Sequence, residues 1–133
     1  MLRLEIVTPE KRVIDAEVDS VTVPTASGEV GILPSHAPLV SALKPGVLAY
    51  AVKGSNERLA VSGGFVEVNN DKVAVLVDTA ESASEIDSAA AQSDRDEAER
   101  TVAAAGSATA DEAEANRELI EHAQARIQVA SGR

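Results

Sequence analysis

An abrupt change of composition near Ala83 divides this chain of 133 residues into two parts that call for different architectures. Before the break, valine dominates the apolar positions and all five prolines occur; after it, residues 85–133 hold 14 alanines and no proline. Branched valine side chains pack well on a pleated surface, alanine loses least in a helix, and proline removes a helix donor. The expectation is an α+β chain. An N-terminal antiparallel β-sandwich spans residues 1–84, and a C-terminal antiparallel two-helix hairpin spans residues 85–133.

Short apolar runs separated by turn signals carry the first assignment. Leu2, Leu4 and Ile6 alternate before the turn at Thr8-Pro9-Glu10-Lys11, and Val13 to Val23 reads as a second extended stretch. Val47 to Val52 follows Pro45-Gly46 and is expected to meet Leu59-Ala60-Val61 across a turn from Lys53 to Arg58. Phe65 to Val68 and Val73 to Val77 are joined by Asn69-Asn70-Asp71, residues that tolerate a left-handed turn.

The second part reads as two helices. Ser84 is placed to cap the first, with Asp87 complementing its dipole, and Ala91, Ala98, Val102 and Ala105 recur at helical spacing up to a stop at Gly106. Thr109-Ala110-Asp111-Glu112 is a capping-box pattern for the second, in which Ala113, Ile120, Ala123, Ile127 and Ala130 form a stripe. Stripes made mostly of alanine bury little area. Such a hairpin is marginal alone and must dock on something or remain mobile.

Composition excludes several function classes. The only rings in the aromatic set are Tyr50 and Phe65, so there is no stacking platform for single strands. A net charge of −10 with no basic run leaves no footprint for nucleic acid. The absence of cysteine removes disulfides, thiol nucleophiles and thiolate metal sites. The longest uncharged stretch, Val30 to Leu43, is broken by two prolines, and the N-terminus does not read as a signal peptide. His36 reads as a loop histidine bonded to backbone, and His122 as a solvated helix-face residue between Glu118 and Arg126. Gly28-Glu29-Val30-Gly31 lacks the Gly-Lys-Ser/Thr of a phosphate loop and reads as a tight turn, while Gly63-Gly64 reads as a bulge or a close backbone approach. No catalytic group, metal site or cofactor site emerges.

The run Gly28-Glu29-Val30-Gly31-Ile32-Leu33-Pro34-Ser35-His36-Ala37-Pro38-Leu39 resembles the signature of the epsilon subunits of F-type, proton-translocating ATP synthases. The resemblance continues in order through Leu43-Lys44-Pro45-Gly46, Val61 to Val68 and Val73 to Ala80. It opens at Val7-Thr8-Pro9-Glu10 and closes loosely with the helical hairpin.

The resemblance implies a non-catalytic rotor subunit of the central stalk. Its sandwich binds the gamma subunit and the ring of c subunits, coupling ring rotation to ATP synthesis. Its hairpin moves between a folded-down state and an extended state that reaches the alpha/beta catalytic head and restrains ATP hydrolysis. The membrane is reached only through the complex, at the cytoplasmic face of a bacterial plasma membrane or its matrix, stroma or thylakoid equivalent. Carried over by resemblance, Glu29, Gly31, Ser35 and His36 fall on the c-ring side, and Arg117 and Arg126 are the hairpin's contacts to the catalytic head. Some members bind ATP through an Ile/Leu-Asp-x-x-Arg-Ala motif. Here Asp87 is kept but Ala90 stands where the arginine would be. Losing that phosphate contact costs about 1.5–3 kcal/mol, so the expectation is a hairpin indifferent to ATP.

Overall fold

Alternation along the N-terminal strands sorts side chains onto two faces, and the inward set builds one apolar core. The computed structural model describes residues 1–104 and 109–132. Ten strands come first: β1 (Leu2–Val7), β2 (Arg12–Val18), β3 (Ser20–Thr25), β4 (Gly28–Ile32), β5 (Leu39–Leu43), β6 (Gly46–Val52), β7 (Ser55–Val61), β8 (Gly64–Asn69), β9 (Lys72–Val77) and β10 (Ala80–Glu81). A 3-10 turn (Ala83–Glu85) leads to the helices α1 (Ser88–Ala104) and α2 (Ala110–Ala130).

The strands run in the order β10-β7-β6-β3-β5-β8-β9-β1-β2, with β4 paired to the other side of β3. Between β3 and β5 the ladder narrows to a single residue pair, Thr25 with Leu43. At this corner one sheet layer passes into the other. Thr25, the buried polar residue of the core, donates its hydroxyl to the carbonyl of Gly28. Leu4, Ile6, Val66, Val73 and Val75 from one layer meet Val21, Val23, Ile32, Leu48 and Val61 from the other. Pairing is antiparallel as expected, except that β1 lies parallel to β9.

Several local expectations need adjustment. Val13 to Val23 is two strands, broken at Asp19, whose carboxylate accepts from the Lys53 amide at 2.9 Å and fixes the corner. The turn after Val52 is tighter than Lys53 to Arg58. Val52 pairs with Ser55, and Lys53 and Gly54 take φ of 50° and 82°, a two-residue reversal whose twist suits a hairpin. Asn70 and Asp71 make the equivalent turn with φ of 50° and 61°.

Helix α1 begins four residues later than Ser84. Ser82 and Glu85 satisfy each other's local groups in the 3-10 turn, and Asp87 takes over as cap by accepting from the Ala90 amide at 3.0 Å. Thr109 caps α2 as expected, accepting from the Glu112 amide at 3.2 Å. The two contact stripes are shorter than periodicity implies. Ala91 and Ala98 of α1 and Ala123, Ala125 and Val129 of α2 are buried, whereas Val102 and Ala113 are exposed. Ala105 and Gly106 lie outside the described residues.

The hairpin does dock. Ala125 and Val129 of α2 pack on Ala60 of β7, with Val47 and Ile86 at the margin. One valine and two alanines give an upper bound on the order of 3–5 kcal/mol. The main core, by contrast, lies wholly between Leu2 and Ala80. We therefore expect a chain ended after Ser84 to keep a cooperative denaturant transition; a non-cooperative one would show that the sandwich needs its hairpin.

The close approach expected at Gly63-Gly64 is found at Gly64, where a Cβ would run into the carbonyl of Leu76 on β9. Gly64→Ala is expected to destabilise the sandwich by about 2 kcal/mol or more, measured as a lower urea midpoint at unchanged slope.

Candidate functional site

No group of three His, Asp or Glu side chains that could hold a metal occurs among the described residues, and no described helix is long and apolar enough to cross a membrane. What the fold offers instead is three surfaces.

The first runs along β4. Among the described residues this strand pairs with β3 alone. Glu29 and Gly31 are exposed on one face while Ile32 enters the core. The segment expected to be a turn is thus a strand from Gly28 to Ile32, with the reversal confined to Ala26 and Ser27 before it. Among the described residues the second edge of β4 stays unpaired, and the five residues of the strand at roughly 3.3 Å each place Glu29 near one end and Ser35 and His36 beyond the other. Ser35, at a φ of 67°, donates its amide to the Asp71 carboxylate at 2.6 Å, which ties this loop to the β8–β9 turn. His36 Nδ1 lies 2.6 Å from the Ala37 carbonyl, the backbone role expected of it.

The second surface is an apolar row on the outer face of the sheet. Ala42, Phe65, Leu76 and Val7 are consecutive cross-strand partners on β5, β8, β9 and β1. Phe65 is 59% exposed, Leu76 54%, and the neighbouring Val40 of β5 71%. Three large apolar side chains left in water on adjoining strands mark a contact surface more than a random spread does. Alternation makes this row readable in the sequence: with Val66 and Val68 inside, Phe65 and Glu67 must point out.

The third surface joins the hairpin to the sandwich. Arg126 of α2 is its centre, with its side chain only 16% exposed. Its Nε lies 2.9 Å from Glu81 of β10, off the line of a directed hydrogen bond, so the contact is one of charge. Nη2 adds a longer bond of 3.4 Å to the same carboxylate, and Nη1 reaches Asp94 of α1 at 3.5 Å. One guanidinium therefore links both helices to the sheet. Beside it His122 is half-buried, not solvated, with Nε2 at 3.4 Å from the Thr79 hydroxyl. The reason is the docking itself, which turns the His122–Arg126 edge of α2 toward the β9–β10 corner. Ser62 holds that corner by accepting from the amides of Asp78 and Thr79 at 2.9 and 3.0 Å. Burial, and then the Arg126 charge, hold the His122 imidazole below its ordinary range against the pull of Glu81 and Asp94.

The remaining expected residues are not brought together. Arg117 is exposed and paired with Glu114 on its own helix at 2.7 Å, while Arg126 is committed to Glu81 and Asp94. The Asp87 carboxylate caps α1, and Ala90 beside it is exposed and carries no charge. Sequence reading missed the Arg126 link. Its only signal was an isolated cation among the acids and alanines of α2, which does not say what it faces.

Comparison with known proteins agrees with this geometry. Residues 1–83 match the family described as ATP synthase, Delta/Epsilon chain, beta-sandwich domain. The chain is 51% identical over 105 residues to the ATP synthase epsilon chain of Desulforamulus reducens, covering 79% of this chain and 80% of that one. It is 50% identical over 91 residues to that of Carboxydothermus hydrogenoformans, covering 68% of each. A chain in the Euglena gracilis mitochondrial ATP synthase, solved as OSCP/F1/c-ring, superposes over 98% of this chain and 81% of its own with a TM-score of 0.79 at 25% identity. A chain of the Tetrahymena thermophila central stalk and c-ring shares the fold, with a TM-score of 0.60 at 16% identity. A β-sandwich carrying a two-helix hairpin and matching these relatives over most of its length, this chain belongs to the epsilon chains of ATP synthase, non-catalytic subunits of that complex.

Proposed function

We propose that this chain is the rotor subunit that couples the c-ring to the catalytic head through gamma, and that its hairpin regulates ATP hydrolysis. The observation that carries the coupling role is the row Ala42-Phe65-Leu76-Val7, an apolar strip across four strands in which Phe65 and Leu76 stay more than half exposed. Gamma is assigned to this strip. The ring is assigned to the free edge of β4, where Glu29 and Gly31 face solvent and the Ser35–His36 loop continues the line. The membrane is then met only through the complex, on its cytoplasmic face or the organellar equivalent.

The hairpin's role rests on the thinness of its docking. Three small buried side chains and one guanidinium separate the docked form from release, so two placements of α1 and α2 differ by only a few kcal/mol. Released, Arg126 would lose Glu81 and become available, with Arg117, to the acidic surfaces of the alpha/beta head. Nucleotide is not part of this reading, because Asp87 serves as a cap and Ala90 supplies no phosphate contact.

The test is Phe65→Glu in the full chain, assayed for binding to gamma. Phe65 is exposed, so stability should move by no more than about 0.5 kcal/mol, while affinity should fall about tenfold or more. Unchanged binding would remove gamma from this face. A cysteine introduced at Glu29, and separately one at Ser35, should each cross-link to cysteines in the polar loops of c subunits. Because β4 holds these positions apart, cross-linking at one alone would confine the ring to that end, and capture of catalytic subunits at both would remove the ring from this edge.

A further inference from the structure

The His122–Arg126 edge of α2 brings a titratable ring and a fixed cation into one partly buried corner, at the only ion-paired contact between hairpin and sandwich among the described residues. We propose that this corner is an acid-released latch, in which protonation of His122 frees α2 from the β9–β10 corner of the sandwich. The proposal rests on the hairpin reading above and adds to it the signal that would move the hairpin.

The charges around the ring decide the direction. On its own helix, His122 shares its surroundings with Arg126 and with Glu118 one turn earlier. From α1, Asp94 and Glu97 face it; from the β9–β10 connection Asp78 does, and from β10, Glu81. The carboxylates outnumber the guanidinium, but they are not free to serve a second cation. Glu81 and Asp94 are already paired with Arg126. Glu118, Glu97 and Asp78 are exposed, and solvent screens them. A proton on His122 would therefore place a second positive charge beside Arg126 in a half-buried site whose nearest anions are taken. The Thr79 hydroxyl can accept from the ring in either state, so it does not oppose release.

The sign of the pH dependence follows. In the docked form the ring favours neutrality, whereas in the released form it titrates near the ordinary value of 6.5. Above that value both forms carry a neutral ring and docking is at full strength. As pH falls through it, the released form takes up the proton more readily, and the equilibrium shifts toward release. The thin apolar contact makes so small a bias effective.

Methyl NMR of the isolated full chain reads this directly. Contacts between Val129 and Ala60 report docking, and contacts between Ile6 and Val75 report the sandwich core. On acidification from about pH 7.5 to about pH 5.5, the Val129–Ala60 contacts are expected to weaken while Ile6–Val75 is unchanged. In His122→Gln, which keeps a polar partner for Thr79 but cannot titrate, both sets should survive at both pH values. Undiminished Val129–Ala60 contacts in the unmodified chain at the lower pH would overturn the latch. So would an equal weakening in His122→Gln, or joint loss of both sets, which is acid unfolding. The readout is docking within one chain, so failure of the gamma-binding assay would leave this outcome unaffected.

Discussion

Every apolar position of the sandwich core is filled by valine, leucine, isoleucine or alanine, and the rest of the structure depends on how closely such small side chains allow two sheet layers to approach. Short branched chains fill a thin gap, and they do so only if strand register keeps each one inward. The backbone contact at Gly64 against Leu76 belongs to the β8–β9 ladder within one layer, and the single pair between Thr25 and Leu43 marks where one layer passes into the other. Alternation along β8, with Val66 and Val68 inward, leaves Phe65 on the outer face, where it extends the strip of the second surface.

The hairpin answers to a different balance. Its apolar contact with the sheet is small, and a partly buried guanidinium supplies the second attachment. Charge contacts of this kind contribute little net stability, because desolvation offsets much of the attraction. In the docked form the Arg126 guanidinium ties α1 and α2 to β10 through Asp94 and Glu81.

Much of the fold was legible because it is local. The period of two in Leu2-Leu4-Ile6 and Val73-Val75-Val77, the turn at Asn70-Asp71 and the cap at Thr109 are all set within a few residues. The misplaced start of α1 was a contest between two local caps, Ser84 and Asp87, which sequence alone does not rank. The sites were less legible. Glu29 and Ser35 sit six positions apart, yet a strand separates them, and nothing in a Gly-Glu-Val-Gly run announces strand over turn once Ala26-Ser27 can make the reversal. His122 and Arg126 look solvated from their own helix. Their burial depends on Thr79, Glu81 and Asp94, whose contacts with them span 32 to 45 positions.

The parallel pairing of β1 with β9 has a consequence for how the protein is made. Arg3 must wait for Lys72 and Val7 for Leu76, so β1 stays without one of its two neighbours until nearly the whole sandwich has been synthesised. Loop closure of this length slows folding and leaves the β1–β2 ribbon with an open edge in the meantime. The alanine-rich helices follow the sandwich. They emerge beside a domain whose final strand has just become available, so the seat for Val129 and Arg126 is completed shortly before its occupants arrive.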